Sequence, residues 1–236
     1  MLGNSLPLLK DREFSNTSIM PVVITGDIIG SSKLAQAERQ SILNQLLKEL
    51  FGALRVVWRR KEQLRTEIIQ GDAFQVYLGE DAEGLRAALL TKCFFLAQKK
   101  VNASYRFDCR LSIGTGRISL LHPDSLAKSG GPAFDYSGRG LKAIVRTGPQ
   151  LVFKAPTTGL TQAVSVALAL TDELMSRWTP LQSQAVLLAL TYPGQTNEWL
   201  AGRVGISRSA YSQRLRQAGW SAVQALLDYY TAANKP

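Results

Sequence analysis

The sequence is poor in the side chains that build disulfide frameworks and transition-metal sites. It contains two cysteines, Cys93 and Cys109, each in an apolar stretch, and one histidine, His122, in a predicted loop. Two isolated cysteines exclude a disulfide scaffold and a thiolate zinc cluster, and they fit a reducing compartment. A histidine without a second one nearby is a poor candidate for metal binding or for triad chemistry.

Long apolar runs are also missing. The longest apolar stretch, residues 163–170, is far shorter than the roughly 20 residues that a membrane-spanning helix needs. The first 14 residues contain no continuous apolar segment of the kind found in signal peptides. The sequence therefore predicts a cytoplasmic protein that does not partner with a membrane.

Positive charge, in contrast, is in excess. Lysine and arginine number 28 against 18 for aspartate and glutamate, which gives a formal net charge of +10. This excess favours polyanionic partners such as nucleic acid or phosphorylated ligands, although a merely soluble basic protein would show it too. The 236 residues, 45% of them hydrophobic, allow one large domain or two modest ones.

The first half of the chain alternates strand and helix patterns. A β-branched run at 21–27 precedes a long periodic segment at 34–60, and two β-prone runs flank Gly71-Asp72, a strong hairpin signal. A predicted helix at 82–99 is followed by two further β-prone runs, which Gly114 and Gly116 separate. The predicted order is β-α-β-β-α-β.

The second half is predicted to be mainly helical. A helix at 134–146 is expected to end at Gly148-Pro149, and a strand-like segment then precedes an apolar-periodic helix at 160–178. Three short helices are expected after Trp178. We therefore predict two domains, 18–177 and 178–236, with the boundary near 177–180.

The segment 196–219 has the spacing of a helix-turn-helix. Ala201, four residues before Gly205, lets two helices approach closely, Gly205 makes the turn, and Ser207 is placed to cap the second helix. Apolar residues recur where the core needs them. The segment resembles the helix-turn-helix of sigma factor carboxyl-terminal regions and of many bacterial regulators, whose second helix enters the DNA groove.

The polar face of the second helix predicts contact with double-stranded DNA. Arginine and glutamine match guanine and adenine edges, and serines commonly contact phosphate. The alternative is a helical bundle with a solvated basic face. The predicted DNA-binding residues are Ser207, Arg208, Ser209, Ser212, Gln213 and Arg216.

Two carboxylates stand out in the first half because the predicted order puts Asp27 at the end of a strand and Asp72 at the tip of the hairpin. Paired carboxylates suit Mg²⁺ or Mn²⁺, which take the rest of their ligands from water and substrate phosphates. Beside Asp27, a turn leading towards a helix start has backbone N–H groups suited to a triphosphate. The predicted nucleotide-binding residues there are Ile28, Gly30, Ser31 and Ser32.

Read together, VVITGDIIGSSKL, QGDAFQVYL and RLSIGTGRI resemble the catalytic domains of class III adenylate and guanylate cyclases in order and spacing. The resemblance implies an α+β fold: a ferredoxin-like βαββαβ domain followed by a small all-α helix-turn-helix domain. It also implies that Asp27 and Asp72 bind metal. The later family motif, which stabilises the transition state, matches GPAFDYSGR, with Arg139 at the arginine position and Asp135 at the asparagine position.

The sequence departs from the cyclase pattern at three positions. The base-selecting position, counted back from Gly71, falls between Ile68 and Ile69, and the second base-reading position is Lys128. Asp135 adds negative charge where phosphate charge develops, which opposes electrostatic complementarity. A cyclase-like domain followed directly by a helix-turn-helix resembles the SatD family of bacterial proteins over nearly the full chain.

These observations favour a DNA-binding regulator whose first domain senses a metal-bound nucleotide and whose chains pair as a homodimer. The alternative is a metal-dependent nucleotidyl cyclase or related phosphoryl-transfer enzyme, with Asp27 and Asp72 holding metal and Arg139 stabilising charge. In a third possibility the cyclase-like fold survives only as a dimerisation scaffold.

Overall fold

The structure, a computed structural model, describes residues 20–59, 63–79, 83–98, 106–144 and 148–233. It combines one mixed β-sheet with α-helices and thus has the α+β composition that the sequence predicts. The strands are β1 (Val22–Ile28), β2 (Leu64–Gln70), β3 (Ala73–Leu78), β4 (Cys109–Thr115) and β5 (Leu151–Lys154). The helices are α1 (Gln36–Val57), α2 (Gly84–Ala97), α3 (Pro132–Ala143), α4 (Thr158–Ser176), α5 (Pro180–Thr191), α6 (Asn197–Arg203), α7 (Arg208–Gln217) and α8 (Trp220–Ala233).

Strand β1 is the centre of the sheet, whose strand order is β2-β3-β1-β4-β5. It pairs antiparallel with β3 and β4, and β5 joins β4 in parallel. Successive side chains of a strand point to opposite faces, so both faces of a central strand must be covered. Ile24 lies in the main hydrophobic core with α1 and α2, whereas Val23 packs on the other face with Ala133 and Phe134 of α3.

The four C-terminal helices pack against the rest of the chain. One continuous core of buried residues runs from β1 through α2 and α4 to α8. Arg86 of α2 donates from Nε to the carbonyl oxygen of Leu190 at 2.8 Å, and the rings of Phe153 and Tyr230 meet edge to face, 5.7 Å apart. The predicted boundary near 177–180 falls between α4 and α5, and the division into two domains stays a prediction.

Several predicted elements are confirmed. The β2–β3 hairpin turns at Gly71-Asp72, where Gly71 has a φ of 60° that favours glycine. Strand β5 and helix α4 lie where the sequence predicts them, to within two residues at each helix end. No helix in the part of the chain that the structure describes has the length and apolar character needed to cross a membrane.

Other predicted elements differ. Residues 117–121 form no second strand after β4, only an isolated bridge between Leu120 and Gly130, because Gly116 (φ 154°) redirects the chain towards the start of α3. A 3-10 turn, Ser31–Lys33, delays the start of α1 to Gln36.

Helix α3 ends at Ala143, before Gly148-Pro149, since Ile144 is already extended. The predicted helix ends at 60, 82, 99 and 146 lie outside the described residues. Four helices rather than three follow Trp178 because three glycines with positive φ, Gly194, Gly205 and Gly219, break the segment.

A buried lysine ties three elements together. Lys92 of α2 is 1% exposed, and its Nζ lies 2.8 Å from Asp108 Oδ1 and 3.2 Å from Asp172 Oδ1 of α4. It also donates to the carbonyl oxygen of Cys109 at 2.9 Å. Burial alone would lower the pKa of Lys92, but the neighbouring groups, led by Asp108, outweigh it and raise that pKa above its ordinary value. The ammonium therefore stays charged and joins α2, the start of β4 and α4.

Replacing Lys92 by methionine should destabilise the protein strongly, because Asp108 and Asp172 would lose their shared cation inside the fold. Breaking a buried ion pair costs about 3–5 kcal/mol, which urea unfolding monitored by circular dichroism would measure. Arg177→Met is the matched control, since its pair with Glu173 is exposed and pairs of that kind contribute about 0–1 kcal/mol. Equal losses in the two variants would contradict this role of Lys92.

Candidate functional site

The two predicted metal carboxylates lie at the same end of neighbouring strands. Asp27 is the sixth residue of β1, and the register places Ala73 of β3 directly opposite it. Asp72, which precedes Ala73, is the second residue of the hairpin turn. The structure thus brings Asp27 and Asp72 to the same end of β1 and β3; below, these strand ends are called the edge of the sheet.

Both carboxylates already have partners within the chain. Arg110 of β4, opposite Asp27 in the register, donates from Nε to Asp27 Oδ1 at 2.9 Å and from Nη2 to Asp27 Oδ2. Asp72 accepts the hydroxyl of Ser31. Arg110 cancels one of the two negative charges, so the group of Asp27, Asp72 and Arg110 carries a net charge of −1.

This charge balance decides which cation the site fits. No three His, Cys, Asp or Glu side chains cluster as a metal site among the described residues. Two carboxylates with other ligands from water and phosphate nevertheless suit Mg²⁺ or Mn²⁺. Because Arg110 has removed one charge, the residues fit a divalent cation that arrives with its own phosphate ligands better than a bare ion.

The predicted nucleotide-binding residues follow Asp27 directly. Ile28 is the buried last residue of β1, and Gly30 has a φ of 73° that turns the chain into the 3-10 segment. Ser31 is half-buried and holds Asp72, whereas Ser32 is exposed and its carbonyl oxygen accepts a bond from Arg39 at 2.9 Å. The loop therefore contacts the hairpin through Ser31.

The two predicted catalytic residues lie on the outer side of α3. Asp135 and Arg139 form an exposed ion pair of 3.7 Å, and their side chains are 59% and 80% exposed. Ser137, midway between them, is fully buried and accepts the hydroxyl of Thr25 of β1 at 2.9 Å. Two residues span about 200° of an α-helix, so Asp135 and Arg139 point away from the sheet. The structure does not bring them together with Asp27 and Asp72 of the same chain.

Helix α3 lies so close to the sheet that only small residues fit between them. A Cβ atom added to Gly114 of β4 would lie 2.3 Å from the carbonyl oxygen of Ala133 and 2.6 Å from the amide nitrogen of Ser137. A Cβ atom on Gly140 would lie 2.1 Å from Ser112 Oγ. The absence of side chains at Gly114 and Gly140 thus sets the short distance between α3 and β4.

Gly114→Ala should therefore destabilise the fold, because the backbone of α3 would have to move outwards. Overpacking of this kind costs about 1–3 kcal/mol. Gly138→Ala, in α3 itself, is the control: a Cβ atom there meets nothing within 4 Å, so higher helix propensity should stabilise the protein by up to about 1 kcal/mol. Thermal unfolding would measure both, and a neutral Gly114→Ala would contradict the close approach.

Sequence reasoning missed Arg110 and Glu67. Glu67 of β2 accepts the hydroxyl of Ser125 at 2.9 Å and the amides of Leu126 and Ala127, so it holds the loop between β4 and α3. The pairing of β2 with β3 is irregular between Ile68 and Gln70, which is where the cyclase pattern places its base-selecting position. The sequence contains one signal for Arg110 and Glu67, since each is a charged residue within a predicted strand.

The predicted turn between α6 and α7 has the expected local structure. Gly205 (φ 66°) follows α6, and the amide of Ile206 donates back to the carbonyl oxygen of Ala201 at 3.2 Å, which closes the helix end. Ser207 caps α7, since its hydroxyl accepts the amide of Ala210 at 3.2 Å. Ala201 is buried, as the close approach of two helices requires.

The two sides of α7 differ sharply. Tyr211 and Leu215 are buried, and the Tyr211 hydroxyl donates to the carbonyl oxygen of Ala185 in α5 at 2.7 Å. Burial raises the pKa of Tyr211 to about 12. Ser212 is half-buried and accepts the side-chain amide of Asn197 in α6 at 3.0 Å. The remaining predicted DNA-binding residues are exposed: Ser207, Arg208, Ser209, Gln213 and Arg216.

Compared with known proteins, the chain matches no protein-family model, and no curated protein matches it.

Proposed function

We propose that the protein is a DNA-binding regulator in which α6 and α7 form a helix-turn-helix and α7 enters the major groove. The exposed side chains of α7 are the observation that carries this proposal: Gln213 and Arg216 are turned away from the buried Tyr211 and Leu215, and Arg208 is exposed in the first turn. A rigid helix with donors on its outer side is the arrangement that reads base edges. The formal +10 charge of the chain supports an anionic partner.

The neighbouring contacts favour the same function. Asn197 and Ser212 join α6 to α7, and Tyr211 fixes α7 to α5, so the outer side chains start from a defined position. Preorganised side chains lose less entropy on binding than flexible ones. Arg208 lies in the first turn of α7 and Arg216 in its last turn, so the two cations are spread along the helix.

Arg208→Ala and Arg216→Ala should each weaken DNA binding and lower its salt dependence. Each lost phosphate contact reduces the slope of log K against log salt by about 0.9. Fluorescence anisotropy with a labelled duplex of random sequence would measure this slope. The salt concentration would be varied about fourfold, from about 50 to about 200 mM. Arg177→Ala, exposed at the end of α4, is the control. Unchanged slopes in both α7 variants would reject α7 as the DNA contact.

We further propose that the α+β part has the ferredoxin-like fold of the cyclase-type domain and binds a nucleotide with Mg²⁺ or Mn²⁺. The order β1-α1-β2-β3-α2-β4 and the strand order β2-β3-β1-β4 support this fold. Asp27 and Asp72 would hold the cation, which would neutralise phosphate charge. The turn at Gly30 and Ser31 would lie beside the phosphates.

The placement of α3 supports a homodimer. Asp135 and Arg139 point away from the carboxylates of their own chain, so in a nucleotide site they would have to come from a second copy. A two-fold dimer also suits a protein that reads two half-sites of DNA. The negative charge of Asp135 beside Arg139 opposes the stabilisation of developing phosphate charge, which favours nucleotide sensing over turnover.

Titration calorimetry with ATP and GTP should show binding that requires Mn²⁺, and Asp27→Ala or Asp72→Ala should abolish it. Asp124→Ala, in the loop after β4, is the control.

Because Arg110 cancels one charge, wild type should bind Mn²⁺ alone weakly, and Arg110→Gln should bind it about tenfold more tightly, which corresponds to about 1.4 kcal/mol. Arg117→Gln is the matched exposed control.

The same samples would be assayed for cyclic nucleotide. Production of cyclic AMP or cyclic GMP by wild type would replace sensing with the enzyme as the function of this site. Nucleotide binding that survives in both aspartate variants would reject Asp27 and Asp72 as cation ligands. DNA binding is measured separately, so either half of the proposal can fail alone.

A further inference from the structure

A cavity lies where the start of α2, the loop between α5 and α6, and α8 meet. Its volume is about 420 Å³, within the range of roughly 300–1,000 Å³ typical of small-molecule sites. Apolar walls come from Leu200, Leu215 and Leu227, and the indole of Trp220 also lines it. The cavity is separate from the carboxylates at the edge of the sheet and from the exposed side of α7.

The one arginine among the described residues that line this cavity is already neutralised. Arg86 lies 2.8 Å from Glu83 Oε2, donates to the carbonyl oxygen of Leu190 at 2.8 Å, and has its guanidinium 5.5 Å from the ring centre of Trp58. These contacts fix its position and pair its charge with Glu83. Arg86 therefore offers no free positive charge to an anionic ligand.

The second carboxylate in the cavity keeps its charge. Asp228 of α8 lines the cavity and is also exposed to water; it accepts the side-chain amide of Gln224 at 2.9 Å, and an amide is neutral. The lining residues thus carry one surplus negative charge, in a protein whose formal net charge is +10. The cavity has both polar and apolar walls, and no cation among the described residues pairs with Asp228. This combination favours a cation with an apolar body, since the carboxylate attracts the charge and the leucines and Trp220 contact the carbon atoms.

We propose that this cavity binds a small organic cation, an amine that carries an apolar or aromatic group. The ammonium lies at Asp228, and the apolar group packs against Trp220 and the leucines. An ammonium near the indole face adds a cation–π attraction. The site goes beyond the proposed function and stands whether or not the protein binds DNA.

The position of the cavity gives a second consequence. Its walls come from α2 on one side and from α6, α7 and α8 on the other. A ligand that contacts both sides binds only the packed arrangement, and a ligand that binds only the folded state raises its stability. Occupancy should therefore raise the melting temperature.

The test titrates the full chain with 2-phenylethylamine, which is protonated at pH 7, and with 2-phenylethanol, which has the same shape without the charge. Ligand-observed NMR at up to about 5 mM covers the affinity range of compounds of this size. Asp228 is exposed to water, which weakens its attraction for a cation. We therefore expect the amine to bind about threefold more tightly than the alcohol. The amine should also raise the melting temperature.

Two variants check the location. Asp228→Asn keeps the shape and a hydrogen-bonding group but removes the charge, so it should lower amine affinity about threefold and leave the alcohol unaffected. Asp124→Asn makes the same chemical change outside the cavity and should bind both probes like wild type. Thr231→Phe, which adds a ring at the cavity wall, should weaken both probes.

Three results would overturn the proposal: no binding of the amine at the highest concentration, equal affinity of the two probes for wild type, or an unchanged amine affinity in Asp228→Asn. Circular dichroism of each variant would show whether its fold is retained. A loss of DNA binding in the α7 variants leaves all of these outcomes unaffected, so this site and the DNA-binding proposal fail separately.

Discussion

The buried ammonium of Lys92 is the interaction on which the rest of the structure depends. It joins α2 to Asp108, which precedes β4, and to Asp172 in α4, whose carboxylate also accepts the amide of Gln150 at 2.6 Å. Burying the charges of Lys92 and Asp172 is costly, although Asp108 stays partly exposed, and apolar packing would often be as stable. The ion pairs instead fix the positions of α2, β4 and α4 relative to one another, because the Lys92 ammonium meets all three of its partners only in this arrangement. Strand β4 then carries Arg110 to Asp27, and α2 supports α5.

The two proposed binding surfaces differ in how they treat charge. At the edge of the sheet, Arg110 and Ser31 hold the two carboxylates before any ligand arrives, and Arg110 leaves the site with a net charge of −1 instead of −2. On α7, Arg208 and Arg216 are exposed and would keep their full charge for the proposed partner. Under the proposed function, the first arrangement would select a ligand that brings its own cation, whereas the second would attract any polyanion and read sequence only at close range.

Local rules account for what the sequence predicted correctly. Turn chemistry placed the hairpin at Gly71-Asp72, and capping chemistry placed Ser207. The missed features join distant segments: Arg110 meets Asp27 across 83 positions of sequence, and a strand pattern says which face a residue takes but not which strand lies beside it. The sequence predicts one helix too few after Trp178 because apolar periodicity alone does not show that Gly194 and Gly219 adopt positive φ and end helices.

The continuous core has a practical consequence for anyone who would divide this chain. A cut after Arg177 separates α4 from α5 and strips α2 of the helix that covers it, which exposes Phe153 and the buried residues of α4 to water. The fragment that remains would expose a large hydrophobic surface of the kind that drives aggregation. Affinity tags and fusion partners are therefore better placed outside residues 20–233, and the two halves are better altered by point substitution than by truncation.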